Sequence, residues 1–460
     1  MARRRSEDVL GRPSSYANAA SAPSGGRAVG RDRSTWAGSA RYGAAGTVEE
    51  HRRRVLGLVA PLPGVDRMAV PAALGRVLAE PVSARLAVPP YDHAAMDGFA
   101  VRAADIAAAS GRVPVVLPVA DVVAAGDPAP ALPAGQAIRI MTGAAIPAGA
   151  DLVVPFEWTD GGAPVGVHRA ASPGTHIRRA GEDVAAGDIA LMAGCALGPA
   201  RIGLLTSIGV TEVVVRRRPR LAVLSTGAEL AQVDTRTDAL GRANGPGCAV
   251  ERAEMVPDSN TTTLLAAGAA AGCEVEAFGP APDDVGEFRA RLADAAARAD
   301  LVVTTGGISA GDHDVVKAAL IDDEHFWFGS VAMKPGRPQG CGTVHTDDGR
   351  AVPVVTLPGT PIAATAAFAL YVVPALRALA GVHWRPRTAT LATDLQGSDR
   401  TVLLPGVRVD GGRITTLQGR AGHSQRLLAA ADVLLVVPPT GRVVPAGTAL
   451  EVLPLHSEET

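Results

Sequence analysis

The chain has 460 residues, 47% of them hydrophobic and 3% aromatic, with a formal net charge of −2 at pH 7. That length provides cores for several domains, and the near-neutral balance excludes a general nucleic-acid binder. The apolar runs at 433–437 and 362–370 fall short of the ~20 residues that cross a bilayer, and Cys195, Cys248, Cys273 and Cys341, with no C-x-x-C pair, provide neither a zinc knuckle nor a disulfide framework, as expected of a reduced, cytoplasmic protein.

The first forty-odd residues carry Arg3, Arg4, Arg5, Arg12, Arg27, Arg31, Arg33 and Arg41 among Ser, Gly and Ala, with no apolar stretch behind the arginines. Such a segment lacks the apolar centre of a secretory signal, and its low hydrophobicity makes residues 1–46 a disordered basic extension. From 47 to 79 the spacing of Val55, Leu56, Leu58 and Val59, then of Val70, Ala73, Leu74 and Val77, predicts two short amphipathic helices parted by Pro61-Leu62-Pro63-Gly64. Between 81 and 215 short β-type runs at 113–119, 137–141 and 152–155 are punctuated by Gly and Pro.

From Arg220 the rhythm changes. Strands at 221–224, 274–278, 301–304 and 354–357 alternate with helices at 261–271, 285–297 and 362–379. That alternation predicts a doubly wound sheet over 219–385, with ligands at the carboxyl ends of its strands. Residues 387–455 return to short strands with Gly-Gly and Pro-Ala-Gly turns, a small β-barrel or sandwich.

The strand at 301–304 runs into Thr305-Gly306-Gly307-Ile308-Ser309-Ala310-Gly311-Asp312-His313-Asp314. The glycines permit positive φ and close approach of backbone N–H groups to an anion, while Asp312 and Asp314 supply carboxylates for a metal ion beside a phosphate. Neither G-x-G-x-x-G nor G-K-[ST] is present, which excludes a Rossmann dinucleotide site and a Walker A ATPase. A glycine pair after a strand also occurs simply to make the turn, so the other motifs decide.

Those motifs are Asp92-His93-Ala94-Ala95-Met96-Asp97-Gly98-Phe99, Gly135-Gln136-Ala137-Ile138-Arg139-Ile140-Met141-Thr142-Gly143, Ile177-Arg178-Arg179-Ala180-Gly181-Glu182-Asp183, Ser225-Thr226-Gly227-Ala228-Glu229-Leu230, Met333-Lys334-Pro335-Gly336-Arg337-Pro338 and Leu357-Pro358-Gly359-Thr360-Pro361. In this order and spacing the chain resembles the MoeA family of molybdopterin molybdenumtransferases, also represented by the E domain of gephyrin, over about residues 47–455. The resemblance implies an α/β multi-domain protein. It would comprise an N-terminal and linker region with an inserted β-rich domain over 47–218, a doubly wound MogA-like molybdopterin-binding domain over 219–385, and a C-terminal β-barrel over 386–456. It also implies insertion of molybdate into the dithiolene of adenylylated molybdopterin with release of AMP and with Mg²⁺ present. The family works as an elongated homodimer whose cleft lies between the α/β domain of one subunit and the β-rich domain of the other.

Carried over residue by residue, Asp97, Asp183, Glu229, Asp283 and Asp314 match the family's acidic cleft, with Asp314 and Glu229 as the Mg²⁺ ligands. Lys334 and Arg337 present positive charge to molybdate or phosphate. Thr142 and Arg178 bind phosphate or a pterin edge from the second domain. Gly306, Gly307, Ser309 and Gly311 form the cradle, and Pro358 and Pro361 shape the turn behind it. Structural roles stay open for two acids: Asp183 as a turn-fixing residue and Glu229 as the cap of a helix after its strand.

The chain departs from the family where Thr360 and Ala363 interrupt P-G-N-P-V-S and remove a serine hydroxyl, where Ala228 replaces an Asp, and where Ser330 replaces a basic residue. His423 and Ser424 are further oxyanion contacts or plain loop residues. Two other activities fit parts of the pattern, adenylylation of molybdopterin and a non-catalytic gephyrin-like scaffold. The flanking domains argue against the first and the cleft carboxylates against the second.

Overall fold

The computed structural model describes residues 42–231, 255–309, 314–417 and 424–456. At its centre is a seven-stranded sheet in the order Tyr42–Gly46, Phe326–Val331, Pro338–His345, Ala351–Leu357, Leu301–Thr305, Arg220–Ser225, Glu274–Ala277. Pro338–His345 runs antiparallel to both neighbours and every other adjacent pair is parallel, so six strands end on one edge.

The apolar runs read as central strands because both faces are covered. Leu221, Val223, Leu301, Val303 and Val355 pack beneath Leu264, Phe368 and Leu376 on one face. The alternate residues Ala222, Leu224, Val302 and Val354 pack against Phe288, Leu292 and Val316 on the other. The helices Ser259–Ala270 and Val285–Arg298 thus lie on opposite faces, each opened by an aspartate, Asp258 and Asp284.

Three sequence expectations are corrected. Tyr42–Gly46, assigned to the basic extension, is the outer strand of the sheet, paired with Phe326–Val331; residues 1–41 lie outside the described residues. The second predicted helix is instead the strand Val65–Ala69, paired with Glu212–Arg216, followed by the four-residue 3-10 turn Val70–Ala73. Pro71 starts that turn and Gly75, at φ 74°, stops it before a helix can propagate. The apolar run at 362–370 is part of Pro361–Leu379, which at 19 residues is long and apolar enough to cross a membrane by length and composition; 72% of its most apolar window is buried in this core.

The β-rich region holds a four-stranded sheet in the order Val119–Val123, Ala137–Ile140, Gly98–Val101, Leu152–Pro155. Gly98 is required there, because a Cβ would lie 2.0 Å from Val154 O. In the last region Arg413–Thr416, Thr401–Val409, Val433–Val437, Ala449–Pro454 and Arg387–Thr390 pair in that order, and a bridge from Leu391 to Ile414 links the first strand to the last. Leu391, Ile414, Leu435 and Val452 fill the space enclosed. Met333–Lys334 also pairs with Thr401 and Val402, which ties this region to the carboxyl edge of the large sheet.

The first helix, Val48–Leu56, begins with a reciprocal cap between Thr47 and Glu50 and buries Val48, His51, Arg52 and Val55, its positions i, i+3, i+4 and i+7. Arg52 donates to Leu370 O at 3.2 Å, pairs with Glu451 at 2.7 Å and lies over Trp384. His51 is 1% exposed between Trp327 and Tyr371, with neither ring nitrogen hydrogen-bonded. Burial, and then the Arg54 charge, push its pKa down from 6.5 to about 3.

The folded imidazole therefore stays neutral where the unfolded chain binds a proton. Its contribution to stability is full above about pH 6.5 and is lost as pH falls towards 3, at up to about 1.4 kcal/mol per unit. In urea unfolding at pH 7 and pH 5, His51→Phe is expected to lose about 2 kcal/mol less than the parent over that interval; equal losses would contradict this origin of the acid limb.

Candidate active cleft

The predicted site residues fall into two sets on separate sheets. The first set gathers at the carboxyl edge of the large sheet, beyond Thr305. Gly306 and Gly307 take φ values of 94° and 65°, and their backbone passes so close to the neighbouring strand end that a Cβ on Gly306 would lie 2.8 Å from Thr226 O. One on Gly307 would lie 3.0 Å from Thr226 Oγ1 and 3.1 Å from Val316 N. Gly306 spends its N–H on Leu357 O at 3.1 Å, so its part in the cradle is steric. Gly307 N–H makes no hydrogen bond to the described chain.

The loop continues to Ser309, whose hydroxyl donates to Asp314 Oδ1 at 3.2 Å. The other carboxylate oxygen, Asp314 Oδ2, is buried with no hydrogen-bond partner. Nearby, Lys317 Nζ donates to Ser309 O at 3.4 Å; burial lowers its pKa and the Asp314 charge opposes the shift. Gly311, Asp312 and His313 lie outside the described residues.

Behind the loop, Pro358 is buried and its carbonyl accepts from Thr305 Oγ1 at 3.0 Å, while Pro361 starts the helix Pro361–Ala367. Lys334 and Arg337 are exposed on the turn that leads into Pro338–His345. That turn is held by Gln339 Nε2 on Gly336 O at 2.8 Å and by Val331 N on Arg337 O at 2.7 Å.

Ala363, 1% exposed, packs beneath the same turn, 3.6 Å from where a Cβ on Gly336 would stand. The position of the family's serine therefore adjoins the turn that carries Lys334 and Arg337, and this chain has a methyl group there in place of the hydroxyl. Ser330 is likewise buried, in the strand Phe326–Val331.

Glu229 is exposed after the strand Arg220–Ser225, its carboxylate folded over Gly227, where a Cβ would be 2.6 Å from Oε2. The residues directly after it, Leu230–Ala231, form a short strand and start no helix, so the capping role is excluded. Asp283 is exposed, and its neighbour Asp284 caps Val285–Arg298 by accepting from Glu287 N at 2.8 Å. Ser424 is a helix cap, accepting from Leu427 N at 3.2 Å, and His423 lies outside the described residues.

The second set belongs to the β-rich region. Asp97 accepts from both the N–H and the hydroxyl of Thr142 at 2.7 Å, and those bonds, the backbone one first, hold its carboxyl below the usual range. Arg178 pairs with Glu182 at 2.5 Å; beside it Arg179 reaches Asp92 at 2.6 Å. Asp183 N–H donates to Val88 O at 3.0 Å, leaving its carboxylate exposed on a loop strapped to the 88–93 segment.

Sequence reasoning missed Asp258 and Asn260. Asp258 is 4% exposed and accepts from Ser225 Oγ, Thr261 Oγ1 and Thr261 N at 2.6, 2.6 and 3.0 Å, fixing the helix start at the cleft. Asn260 Nδ2 reaches Thr305 Oγ1 at 2.9 Å and Gly359 O at 2.8 Å. The signal available was Pro257-Asp258-Ser259-Asn260 directly before an apolar helix, a helix-start signature.

A cavity of about 760 Å³ lies at the other ends of the strands, lined by Arg289, Leu292, Leu320, Asp323, Val344 and Asp348 among others. It contains none of the predicted site residues. Among the described residues, open glycine-loop geometry, an unpaired buried carboxylate oxygen and exposed cations coincide at the carboxyl edge, which is where α/β sheets bind ligands.

Comparison with known proteins shows the family and the fold. Residues 46–209 match the MoeA N-terminal region (domain I and II), and residues 222–378 match the domain described as "Probable molybdopterin binding domain". Molybdopterin molybdenumtransferase 2 of Mycobacterium tuberculosis is 39% identical over 420 residues, 88% of this chain and 98% of that protein. The Haemophilus influenzae molybdopterin molybdenumtransferase is 34% identical over 358 residues, 75% of this chain and 81% of that protein. The crystal structure of the molybdopterin biosynthesis MoeA protein of Pyrococcus horikoshii OT3 superposes with a TM-score of 0.72 at 25% identity, covering 89% of this chain and 99% of that one. With both matched regions, a relative covered over nearly its whole length and a shared fold, the chain belongs to the MoeA family of molybdopterin molybdenumtransferases.

Proposed function

We propose that this chain inserts molybdate into adenylylated molybdopterin and releases AMP, with Mg²⁺ held by Asp314 and Glu229 and with two copies of the chain completing each cleft. The observation that carries this reading is Asp314 Oδ2, a buried carboxylate oxygen without a partner beside an open glycine loop. Such an oxygen is costly unless a cation or donor meets it. Among the described residues no group of three His, Cys, Asp or Glu could hold a metal, which suits Mg²⁺, since that ion takes one or two protein carboxylates together with substrate phosphates and waters. Bound there, it would supply Lewis-acid polarisation of a phosphoryl oxygen.

The remaining work falls to the chain itself. Gly307 offers its N–H to a phosphate oxygen, Ser309 orients Asp314 through its hydroxyl, and Lys334 and Arg337 neutralise the oxyanion that enters. Thr142 holds Asp97 ionised, and that pair, with Arg178 and Asp183, lies on a different sheet from the glycine loop. A second copy of the chain would present this set to the cleft, which accounts for charged groups ordered by their own hydrogen bonds yet exposed.

With purified protein, adenylylated molybdopterin and Mg²⁺, AMP release is expected to depend on molybdate and to fall by about 100-fold or more in Asp314→Ala. ATP-dependent formation of adenylylated molybdopterin would instead mark an adenylyltransferase, and undiminished cofactor synthesis by Asp314→Ala a scaffold. A second expectation concerns the loop. Gly306→Ala places a Cβ 2.8 Å from Thr226 O at φ 94°, and should cost about 1–3 kcal/mol of stability while abolishing AMP binding; calorimetry showing parental affinity for AMP would contradict the cradle.

A further inference from the structure

Asn260 stands in the first turn of the helix Ser259–Ala270, and its side chain bridges two loops of the cleft edge, reaching Thr305 Oγ1 at 2.9 Å and Gly359 O at 2.8 Å. Its amide orientation is forced by these partners. The Gly359 carbonyl can only accept, and the Thr305 hydroxyl gives its single hydrogen to Pro358 O at 3.0 Å, so it too can only accept from Asn260. Both amide hydrogens are spent, and Oδ1 is left as an acceptor that meets no partner in the described chain. The amide stands on Gly359, which adjoins the glycine loop, since a Cβ on Gly359 would be 3.3 Å from Gly306 Cα. The preceding residue, Ser259, is held from the C-terminal region by Gln425 Nε2 at 3.1 Å.

We infer that Asn260 Oδ1 accepts a hydrogen bond from an N–H of the substrate's heterocycle, the exocyclic amino group of adenine or an amino or lactam N–H of the pterin, and is a specificity-determining contact. The inference rests on the function proposed above and goes beyond it by naming the group that reads the heterocycle. A fixed carbonyl-type oxygen repels phosphate and molybdate oxygens, which have only lone pairs to offer. It pairs with the exocyclic amino group of adenine and with the amino and lactam N–H groups of a pterin, and a ring without such a donor would leave it unpaired. Anion-binding and ring-binding work would thereby fall to groups of opposite character, backbone N–H and cations for the one and an obligate acceptor for the other.

Titration calorimetry of the full-length protein with Mg²⁺, using AMP, 6-hydroxymethylpterin and inorganic pyrophosphate as separate probes, tests this. Asn260→Ala should weaken one of the two ring-bearing probes roughly 2- to 10-fold, the worth of one hydrogen bond, and leave pyrophosphate unchanged; the probe affected identifies the ring. Thr305→Val removes one clamp partner but keeps Oδ1, and should hold the affinity for that ring within about twofold. Equal losses for all three probes, or a ring loss in Thr305→Val matching that of Asn260→Ala, would show that the residue only braces the loops and would overturn the inference, as would unchanged ring affinity in Asn260→Ala. Failure of the parent protein to bind any probe would remove the proposed function itself, and this inference with it.

Discussion

The close approach of Gly306 and Gly307 to the end of the neighbouring strand is the constraint on which the cleft depends. Parallel strands ending at Ser225, Thr305 and Leu357 bring three loops to one edge, and loops so crowded can coexist only where side chains are absent. The two glycines remove Cβ atoms that would strike Thr226 and Val316. Thr305 then joins the layers, donating to Pro358 O and accepting from Asn260. Residues 305–307 are thus held by the chain itself, and under the proposed function such prior order would let a backbone donor act on a phosphate.

Charge is arranged around this frame in a graded way. Asp258 is buried and fully used in capping and in holding Ser225, so it belongs to the fold. Asp314 is half used, one oxygen on Ser309 and one without a partner. Glu229, Lys334 and Arg337 are exposed. Under the proposed function, Asp314, with one oxygen held by the chain and one without a partner, is the group that would hold the cation. Distant parts of the chain support the same edge: Met333–Lys334 is paired to the C-terminal region, and Gln425 from that region touches Ser259.

Much of this is legible in the sequence wherever burial leaves a periodic trace. The runs at 301–303 and 221–224 are apolar throughout because both faces are covered, and the helix at 285–297 shows its period through Phe288, Leu292, Ala295 and Ala296. The outer strand Tyr42–Gly46 gives no such trace, being glycine and alanine after its tyrosine and paired with a strand nearly three hundred residues away. Pro338–His345 is hidden for a related reason. Gly340 and Gly342 are there to admit Phe328 and Phe326, so the apolar pattern sits on the partner strand. At the site, motif residues identify themselves by type, but their state does not. That Gly306 has spent its N–H, that Ala363 is covered and that the hydrogens of Asn260 are both committed follow from partners 51, 27 and 45 or more residues away in the chain.

The measurement that reaches the central claim most directly is a crystal structure of the full-length protein with AMP and Mg²⁺. The account predicts phosphate oxygens about 2.9 Å from Gly307 N and the ion on Asp314 Oδ2. Nucleotide bound instead in the cavity beside Arg289 and Asp323, with the glycine loop empty, would contradict it.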